Sequence, residues 1–370
     1  MRLLFGFTGG RGHVEPLLPL AFAAREAGHV VAFVGRPSIL PAVDALGFEA
    51  FPGEDERGGP PERIPLQPID VERERREFRD WFADRIARER APRVRAIAED
   101  WRADVVVAEE VDFGSMIAAE QLGLPHATVV VLAAGSFIRP ELIAETVDAV
   151  RADNGLPPDG LAMPTRHLVL TPFPPTYRDP ASPPPPTARS FRSFTPQPAA
   201  DGDTTVYFTL GTVFNLECGD LFARVLDGLC ELPFDVIATV GPHVDPAEFG
   251  TLPDRFELAE FVPQSDVLPR SHVVVSHGGS GSVLGALAHG LPQVLIPMGA
   301  DQPANAKRCE ELGLARVLDP VAATPEDVRD AVSTVLTNLT YRAAAERMRD
   351  DIAALPGPEH AVALLEELSA

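Results

Sequence analysis

Residues 276–305 have the sequence SHGGSGSVLGALAHGLPQVLIPMGADQPAN, and this stretch decides the fold of the chain. The β-branched run Val273–Val275 before it predicts a buried parallel strand, which a pair of glycines then ends. Two serines begin an apolar, alanine-rich helix that ends near Gly290. A strand, a glycine turn and a helix N-terminus together favour anion binding, because backbone N–H groups and the helix dipole attract negative charge.

His277 stands between the predicted strand and the glycines. Side chains at the carboxyl end of a parallel strand reach the place where such sheets bind ligands. A second apolar strand is predicted at 293–297, and the polar pair Asp301–Gln302 follows it. Glycine turns of this kind also occur in α/β proteins that bind no phosphate, and His277 is the residue that favours a binding site.

The whole string resembles the donor-nucleotide signature of nucleotide-sugar-dependent glycosyltransferases of the GT-B type. It is most similar to the signature of bacterial enzymes that glycosylate natural products, such as macrolides and aromatic polyketides. The resemblance implies an α/β protein of GT-B architecture, in which two Rossmann-like parallel-sheet domains face each other across a cleft. It covers nearly the whole chain, because an amino-terminal histidine turn, a proline-rich segment and the donor signature occur in that order.

The chain has 370 residues and a net charge of −22 at pH 7. The length predicts two domains, and the charge argues against nucleic acid or an anionic membrane as partner, because both attract basic proteins. Cys218, Cys230 and Cys309 form no CxxC pair, which is typical of reduced thiols in a cytoplasmic protein. The apolar amino terminus is too short for a signal peptide, and no run has the length of a membrane span.

The proline-rich run Thr171–Pro198 is predicted to join neither strand ladders nor helices. We therefore place an interdomain linker at 183–203. On the resemblance, 1–182 is an acceptor-binding Rossmann-like domain and 204–350 a nucleotide-sugar-binding Rossmann-like domain. Residues 351–370 predict a final helix, which the resemblance places back on the first domain.

Two helical segments are predicted in the first domain. The Arg- and Glu-rich segment Asp70–Trp101 predicts a solvated amphipathic helix or helix pair that Pro92 kinks or divides. Residues 133–159 predict a helix pair around a loop beyond a strand end. Apolar side chains there, Phe137, Ile138 and Leu142, either line an acceptor pocket or pack in the core.

A strand at Arg2–Thr8, a glycine turn, a helix from Pro16 and a strand at Val30–Val34 predict a βαβ unit with His13 at its ligand-binding end. An imidazole has an ordinary pKa of ~6.5, which suits a general base. The string Gly12-His13-Val14-Glu15-Pro16 matches the GHxxP string of the family, whose histidine deprotonates the acceptor hydroxyl. His13 is therefore the expected base, and a buried or helix-capping histidine is the alternative.

The run Asp104–Ala108 predicts another buried strand. Plant members of the family place an aspartate about two turns past this strand, on the following helix, where this chain has Ile117. The acids that cluster at the end of the predicted strand, Glu109, Glu110 and Asp112, are the candidate partners of His13. We assign Glu109 and Asp112 to the catalytic set, although Asp112 suits a helix N-cap equally well.

The resemblance also implies a set of donor contacts. His277 and the turn behind it would hold the diphosphate, Thr212 would be a second diphosphate contact, and Asp301 and Gln302 would hold sugar hydroxyls. Phe261, Val262 and Gln264 match the base- and ribose-binding string, in which many plant members have Trp at the first position. The predicted donor-binding residues are Gly10, Gly12, Thr212, Phe261, Val262, Gln264, His277, Gly278, Gly279, Ser280, Gly281, Asp301 and Gln302.

Plant enzymes that use uridine diphosphate sugars carry a glutamate eight residues after the histidine, which grips the ribose hydroxyls. This chain has Gly285 there. Without that carboxylate, a 2′-hydroxyl is not required, so we expect a dTDP-deoxysugar as donor substrate and no cofactor. The DxD string Asp201-Gly202-Asp203 is interpreted as a turn, and no metal is expected.

The sequence thus predicts an inverting, metal-independent glycosyltransferase that moves a (deoxy)sugar from a nucleoside diphosphate to a small natural-product aglycone such as a polyketide. Its partners are the aglycone and the nucleotide sugar, and whether it forms a homodimer is left open. Two alternatives are a non-hydrolysing nucleotide-sugar epimerase, which needs no acceptor, and a catalytically silent helper of a partner glycosyltransferase, in which an eroded phosphate turn is expected.

Overall fold

The structure is a computed structural model that describes residues 1–56, 62–135, 138–198, 202–212, 214–242 and 244–369. The chain forms two compact units. The first unit comprises Met1–Arg57, Val71–Ser193 and Leu355–Ala370, and the second comprises Gly58–Asp70 and Phe194–Ala354.

The described part of the first unit contains a parallel sheet of seven strands: β1 Arg2–Gly6, β2 Val30–Gly35, β3 Glu49–Pro52, β4 Val105–Glu109, β5 His126–Val129, β6 Leu168–Thr171 and β7 Ala188–Ser190. Their order is β3-β2-β1-β4-β5-β6-β7, and every neighbouring pair is parallel. The order reverses between β1 and β4. In open parallel sheets, ligands bind beyond the carboxyl ends of the strands at this switch point.

Helices cover both faces of this sheet, because β-strands buried on two sides need apolar cover on both. They are α1 Arg11–Val14, α2 Leu18–Glu26, α3 Leu40–Asp44, α4 Val71–Glu77, α5 Ala87–Trp101, α6 Phe113–Leu122 and α7 Pro140–Asp153. A 3₁₀ turn, Glu15–Leu17, joins α1 to α2, so helical structure begins at Arg11 and not at the predicted Pro16. Residues 133–159 contain one described helix, α7, where a pair was predicted.

Pro92 lies inside α5 and does not divide it, so the predicted division is wrong, while a kink at Pro92 stays a prediction. The buried face of α5, which includes Ala91, Val94 and Ala98, packs along the first unit's core. Packing of an amphipathic face supplies most of the stability of a helix in a protein, and here it sustains a helix that lacks one N–H donor. The irregular stretch comes earlier instead, where residues Phe78–Ile86 form a π-helix between α4 and α5.

Strand β7 lies inside the proline-rich run that was predicted to join no ladder. Val169 pairs with Ala188 and Thr171 with Ser190 across β6 and β7. The prediction is wrong for these three residues because none of them is proline and each has a backbone N–H to donate. Their place at the edge of the sheet is the one that proline-rich surroundings tolerate.

The second unit has a parallel sheet of its own, with six strands among its described residues: β8 Thr205–Thr209, β9 Asp235–Thr239, β10 Phe256–Ala259, β11 Val273–Ser276, β12 Gln293–Leu295 and β13 Ala315–Val317. Their order is β10-β9-β8-β11-β12-β13, so the switch point lies between β8 and β11. The helices of this unit are α8 Leu221–Cys230, α9 Gln264–Val267, α10 Ser280–Ala288, α11 Gln302–Glu311, α12 Pro325–Thr337 and α13 Leu339–Ala353. The predicted α/β class with two parallel sheets is confirmed.

The last helix, α14 Pro358–Leu368, belongs to the first unit and packs against α2. Its Ala361, Val362 and Leu365 are buried in the same core cluster as Leu17 and Leu20. None of the described helices has both the length and the apolar composition that a membrane crossing needs.

Gln293, on β12, is a polar side chain at a position that the sheet buries completely. It pairs with Val274 on β11 and Ala315 on β13, and it is 0% exposed. Neither atom of its side-chain amide has a hydrogen-bond partner among the described residues. A buried amide without partners costs stability, since it loses its bonds to water on folding.

We expect Gln293→Met, which keeps the length of the side chain and removes its polar atoms, to raise the free energy of unfolding by about 1 to 3 kcal/mol. Urea denaturation of the purified protein measures this change. Gln197→Met at an exposed position is the matched control and should change stability by less than about 0.5 kcal/mol. A destabilised Gln293→Met protein would show that the amide is satisfied in solution.

Candidate active site

His13 and Glu109 meet at the switch point of the first sheet. His13 lies on α1, just beyond β1, and Glu109 is the last residue of the neighbouring strand β4. The His13 Nδ1 atom is 3.1 Å from Glu109 Oε1, with the two side chains 24% and 0% exposed. The imidazole therefore has one edge on a buried carboxylate and part of its surface at solvent.

The surroundings of Glu109 keep it ionised. Burial opposes ionisation, but the charge interaction with His13 and hydrogen bonds from His13, Thr8 and Val111 outweigh it and lower the pKa of Glu109. Thr8 donates from its hydroxyl at 2.6 Å and from its backbone N–H at 3.2 Å, and Val111 N–H donates to the other oxygen at 2.8 Å. A carboxylate only accepts, so His13 Nδ1 must carry the proton, and in the neutral ring Nε2 has the lone pair.

Two neighbours shape the space around His13. Gly9 has φ +70°, and a Cβ atom there would come within 2.8 Å of His13 Cδ2, so both the backbone conformation and the space require glycine. The ring of Phe82, from the π-helix, stacks on the imidazole with centroids 5.9 Å apart and planes 15° from parallel. Thr8 and Phe82 were not predicted as site residues, because neither belongs to a motif.

Asp112 is the N-cap of α6, which is the second of the two roles that the sequence allowed for it. Its Oδ1 accepts the Ser115 N–H at 3.0 Å at the start of α6. Its carboxylate also accepts Arg90 Nε at 2.9 Å and Arg90 Nη2 at 2.6 Å, and Arg90 Nη1 donates to Glu54 at 2.6 Å. Asp112 is therefore part of a buried ion-pair network, and the structure brings Glu109, the other acid of the predicted catalytic set, to His13.

Glu110, the third candidate, points away from His13, since successive strand-end residues face opposite sides. Its Oε1 accepts the backbone N–H groups of Val131 and Leu132 at 2.6 and 2.5 Å. Burial raises the pKa of Glu110 to about 7 despite these bonds and the nearby Arg178. Glu110 thus anchors the segment after β5.

The predicted phosphate turn lies at the switch point of the second sheet. Gly278 has φ +84°, its N–H donates to Ser276 Oγ at 3.2 Å, and Gly279 is the N-cap of α10. Ser280 and Gly281 are the first residues of that helix, and a Cβ on Gly281 would meet no atom within 4 Å. Backbone N–H groups at a helix start with open space beside them can hold a phosphate.

His277 is wedged between two glycines. A Cβ atom on Gly211 would come within 2.8 Å of the ring, and one on Gly279 within 2.6 Å. Burial lowers the pKa of His277 to about 4, although a hydrogen bond with the Thr209 backbone raises it in part. The ring is therefore neutral at pH 7. Gly211 follows β8, the neighbour of β11, and the exposed Thr212 is the next residue.

Asp301 and Gln302 already have partners within the protein. Ser280 Oγ donates to Asp301 Oδ2 at 2.5 Å, and Gln302 Oε1 accepts the N–H groups of Met298 and Gly299 at 2.8 and 3.3 Å. Gln302 is 2% exposed. The structure therefore joins Asp301, one of the two predicted sugar contacts, to the phosphate turn by hydrogen bonds with Ser280 and the unpredicted Asn305.

The predicted base-binding string precedes and begins α9. Phe261 is 52% exposed, so a large part of its ring faces solvent. Val262 packs against a core cluster, and Gln264 Nε2 lies 3.4 Å from Ser282 Oγ. Gln264 also occupies the space at Gly285, where a Cβ atom would come within 2.6 Å of its Oε1.

The remaining predicted residues fall in several places. Gly10 is the N-cap of α1 and Gly12 lies within it, both in the first unit. Ile138 and Leu142 pack against the core cluster of α5 and α6, while Phe137 and Asp201 lie outside the described residues. In the described ranges, no group of three or more His, Cys, Asp or Glu side chains has an arrangement that suits a metal ion.

Each of the two parallel sheets has a histidine packed against glycine at its switch point. The protein therefore consists of two Rossmann-like units. Residues 223–368 match the family model of the erythromycin biosynthesis protein CIII-like C-terminal domain. The L-demethylnoviosyl transferase of Streptomyces niveus is 28% identical over 97% of this chain and 96% of its own. The 3-alpha-mycarosylerythronolide B desosaminyl transferase of Saccharopolyspora erythraea is 27% identical over 100% and 99% of the two chains.

Solved structures show the same fold. The glycosyltransferase VinC in complex with dTDP is 25% identical, with a TM-score of 0.78 over 100% of this chain and 99% of its own. The spinosyn rhamnosyltransferase SpnG has a TM-score of 0.83 over 99% and 100% of the two chains, and at 23% identity this is a likeness of fold alone. Over its whole length this chain is similar to bacterial natural-product glycosyltransferases, its two-sheet fold is of the GT-B type, and it is a glycosyltransferase.

The raised pKa of Glu110 makes stability depend on pH. Because its pKa rises from 4.5 to about 7 on folding, the native state binds more protons than the unfolded state between these values. The contribution of Glu110 to the free energy of unfolding is fully present below pH 4.5 and is lost as the pH rises through 7. We expect Glu110→Gln, which does not ionise, to gain stability over the wild type by on the order of 3 kcal/mol between pH 4.5 and pH 8.

Urea denaturation at several pH values measures this difference. Glu99→Gln, at an exposed position of α5, is the control and should show no such trend. A constant difference between Glu110→Gln and wild type would mean that Glu110 is ionised throughout.

Proposed function

We propose that the protein is an inverting, metal-independent glycosyltransferase that moves a (deoxy)sugar from a dTDP donor to a small natural-product aglycone such as a polyketide. The observation that carries this proposal is the contact of His13 with the buried, ionised Glu109. In this proposal the first unit binds the aglycone and the second unit binds the nucleotide sugar.

His13 is the proposed general base. Its Nδ1–H is held by Glu109, so Nε2 is the atom that takes the proton from the acceptor nucleophile. The imidazolium that forms is then stabilised by the carboxylate, which gains a full charge partner as the reaction proceeds. Gly9 leaves the room for this ring, and Phe82 covers one of its faces.

The second unit is proposed to take the leaving diphosphate. The N-terminus of α10 and the backbone of the 278–281 turn would hold the phosphates. His277, whose neutral ring has one N–H, would donate it to the diphosphate in place of the Thr209 backbone. The acceptor oxygen or carbon forms a bond to the anomeric carbon while the bond to the diphosphate oxygen breaks. A single displacement of this kind inverts the anomeric centre, and fixed N–H donors do the work for which other enzymes use a cation.

The preference for dTDP is argued from Gly285 and Gln264. The amide of Gln264 fills the space that a longer side chain at 285 would need, so this region offers an amide and no carboxylate to the ribose. VinC, which is 25% identical, is solved in complex with dTDP. The exposed ring of Phe261 is proposed to stack on the thymine.

The aglycone class is argued from the relatives. The names of two of them state that they transfer desosamine or demethylnoviose units, and one of these acts on 3-alpha-mycarosylerythronolide B. The side chains proposed to meet the aglycone are His13 and Phe82, an apolar and aromatic environment that suits a polyketide.

We expect His13→Ala to lower kcat about 10²- to 10⁴-fold, because general-base catalysis contributes that much to a typical proton transfer. Turnover of a nucleotide sugar with a polyketide aglycone is the measurement. His29→Ala is the matched control, since His29 forms a second His–Glu pair in the same unit, with Glu366 at 3.0 Å. Unchanged turnover of His13→Ala would refute the mechanism.

We expect a higher kcat/KM with a dTDP-sugar than with a UDP-sugar that carries the same sugar, and the same rates with and without EDTA. The reason is the absence of a ribose-binding carboxylate at Gly285 and the use of N–H donors for the diphosphate. Initial rates with both donors measure the preference. A strong preference for uridine would defeat the donor assignment, and loss of activity in EDTA would defeat metal independence.

A further inference from the structure

Asn305 connects the phosphate turn of the second unit to the predicted sugar contact. It lies on α11 and is 0% exposed. Its Nδ2 atom is 3.0 Å from the carbonyl oxygen of Gly278, 3.1 Å from Ser280 Oγ and 2.8 Å from Asp301 Oδ2. One amide group thus serves acceptors on the turn, on the first residue of α10 and on the N-cap residue of α11.

The protons of this cluster can be counted. Ser280 has one hydroxyl proton, and at 2.5 Å it is donated to Asp301 Oδ2. Ser280 therefore offers its backbone N–H to a ligand, and its hydroxyl is used inside the protein. Asn305 then supplies two further protons to a cluster that otherwise contains a carboxylate, a carbonyl and a hydroxyl oxygen, so the arrangement depends on its amide.

We propose that Asn305 is a positioning residue that holds the Gly278 turn and the Asp301 carboxylate in one geometry, so that the diphosphate site and the sugar site are set together. This inference rests on the proposed function, because it assumes that the turn binds a diphosphate and that Asp301 contacts the sugar. Asn305 itself touches neither. A misplacement of about 1 Å in a supporting residue is enough to weaken a site strongly.

Two variants distinguish the effect of the donor protons of Asn305 from the effect of its side-chain shape. Asn305→Ala removes the amide. Asn305→Asp keeps the shape but places a second carboxylate beside Asp301, where the amide now lies at 2.8 Å. Two carboxylates at this distance cannot both ionise readily, so the pair takes up a proton as the pH falls, and the protonated acid regains one donor.

Binding of dTDP and of dTDP-glucose, measured by calorimetry at pH 6 and pH 8.5, tests the proposal. For Asn305→Ala we expect the Kd for dTDP-glucose to rise about tenfold or more at both pH values, and the Kd for dTDP to rise less. For Asn305→Asp we expect a similar loss at pH 8.5 that shrinks at pH 6. His277, the titratable residue of the turn, has a pKa of about 4 and stays neutral across this range.

Asn338→Ala is the matched control, because Asn338 caps α13 in the same unit through its Oδ1 and the Thr340 N–H. Its loss should lower the unfolding temperature without changing either Kd. In the double variant Asn305→Ala/Asp301→Ala, we expect the loss of binding free energy for dTDP-glucose to be smaller than the sum of the two single losses, because the two residues act together. Thermal unfolding of each variant shows whether it is folded.

Wild-type affinity for dTDP-glucose in Asn305→Ala and Asn305→Asp would overturn the proposal. So would a loss that is the same at both pH values for Asn305→Asp, since that is the behaviour of a merely destabilised protein. If Asn305→Ala does not fold, the pH dependence of Asn305→Asp decides. The proposed function fails separately, when the unaltered protein binds neither dTDP nor dTDP-glucose.

Discussion

The hydrogen bond between His13 and the buried Glu109 is the interaction on which the proposed chemistry of the first unit depends. It exists because β1 and β4 are neighbours at the switch point, so two segments almost a hundred residues apart end at the same edge. The carboxylate stays ionised although it is buried, because Thr8 and Val111 donate hydrogen bonds to it as well. Its charge and position together decide which nitrogen of the imidazole carries the proton.

The candidate site of the second unit favours a bound anion. It collects backbone N–H groups and one neutral histidine around the start of α10, where the dipole of the helix already favours an anion. Positive φ at Gly278 and Gly211 makes the turns that leave this space open. An anion site of this kind is consistent with a chain whose net charge is −22, because the positive potential is local and comes from dipoles.

Buried polar networks hold both sites in place. In the first unit, Arg90 joins Asp112 and Glu54 behind the strand ends. Gly53 and Gly114 give it room, since a Cβ atom on either would come within 2.5 Å of its side chain. In the second unit, the Ser280–Asp301–Asn305 cluster has the corresponding place behind the phosphate turn. Such networks favour one arrangement of a loop, because a shifted partner leaves a buried charge or amide unpaired.

The sequence by itself determined the two parallel sheets and the position of both histidines at strand ends, because β-branched runs, glycine turns and helix starts are local signals. It could not choose among Glu109, Glu110 and Asp112, since neighbouring residues at a strand end face opposite sides and only the register of β4 beside β1 decides which one meets His13. It also missed strand β7, the course of α5 through Pro92 and the contacts of Asn305. These depend on packing between segments far apart in the chain, and no local pattern of residues specifies that packing.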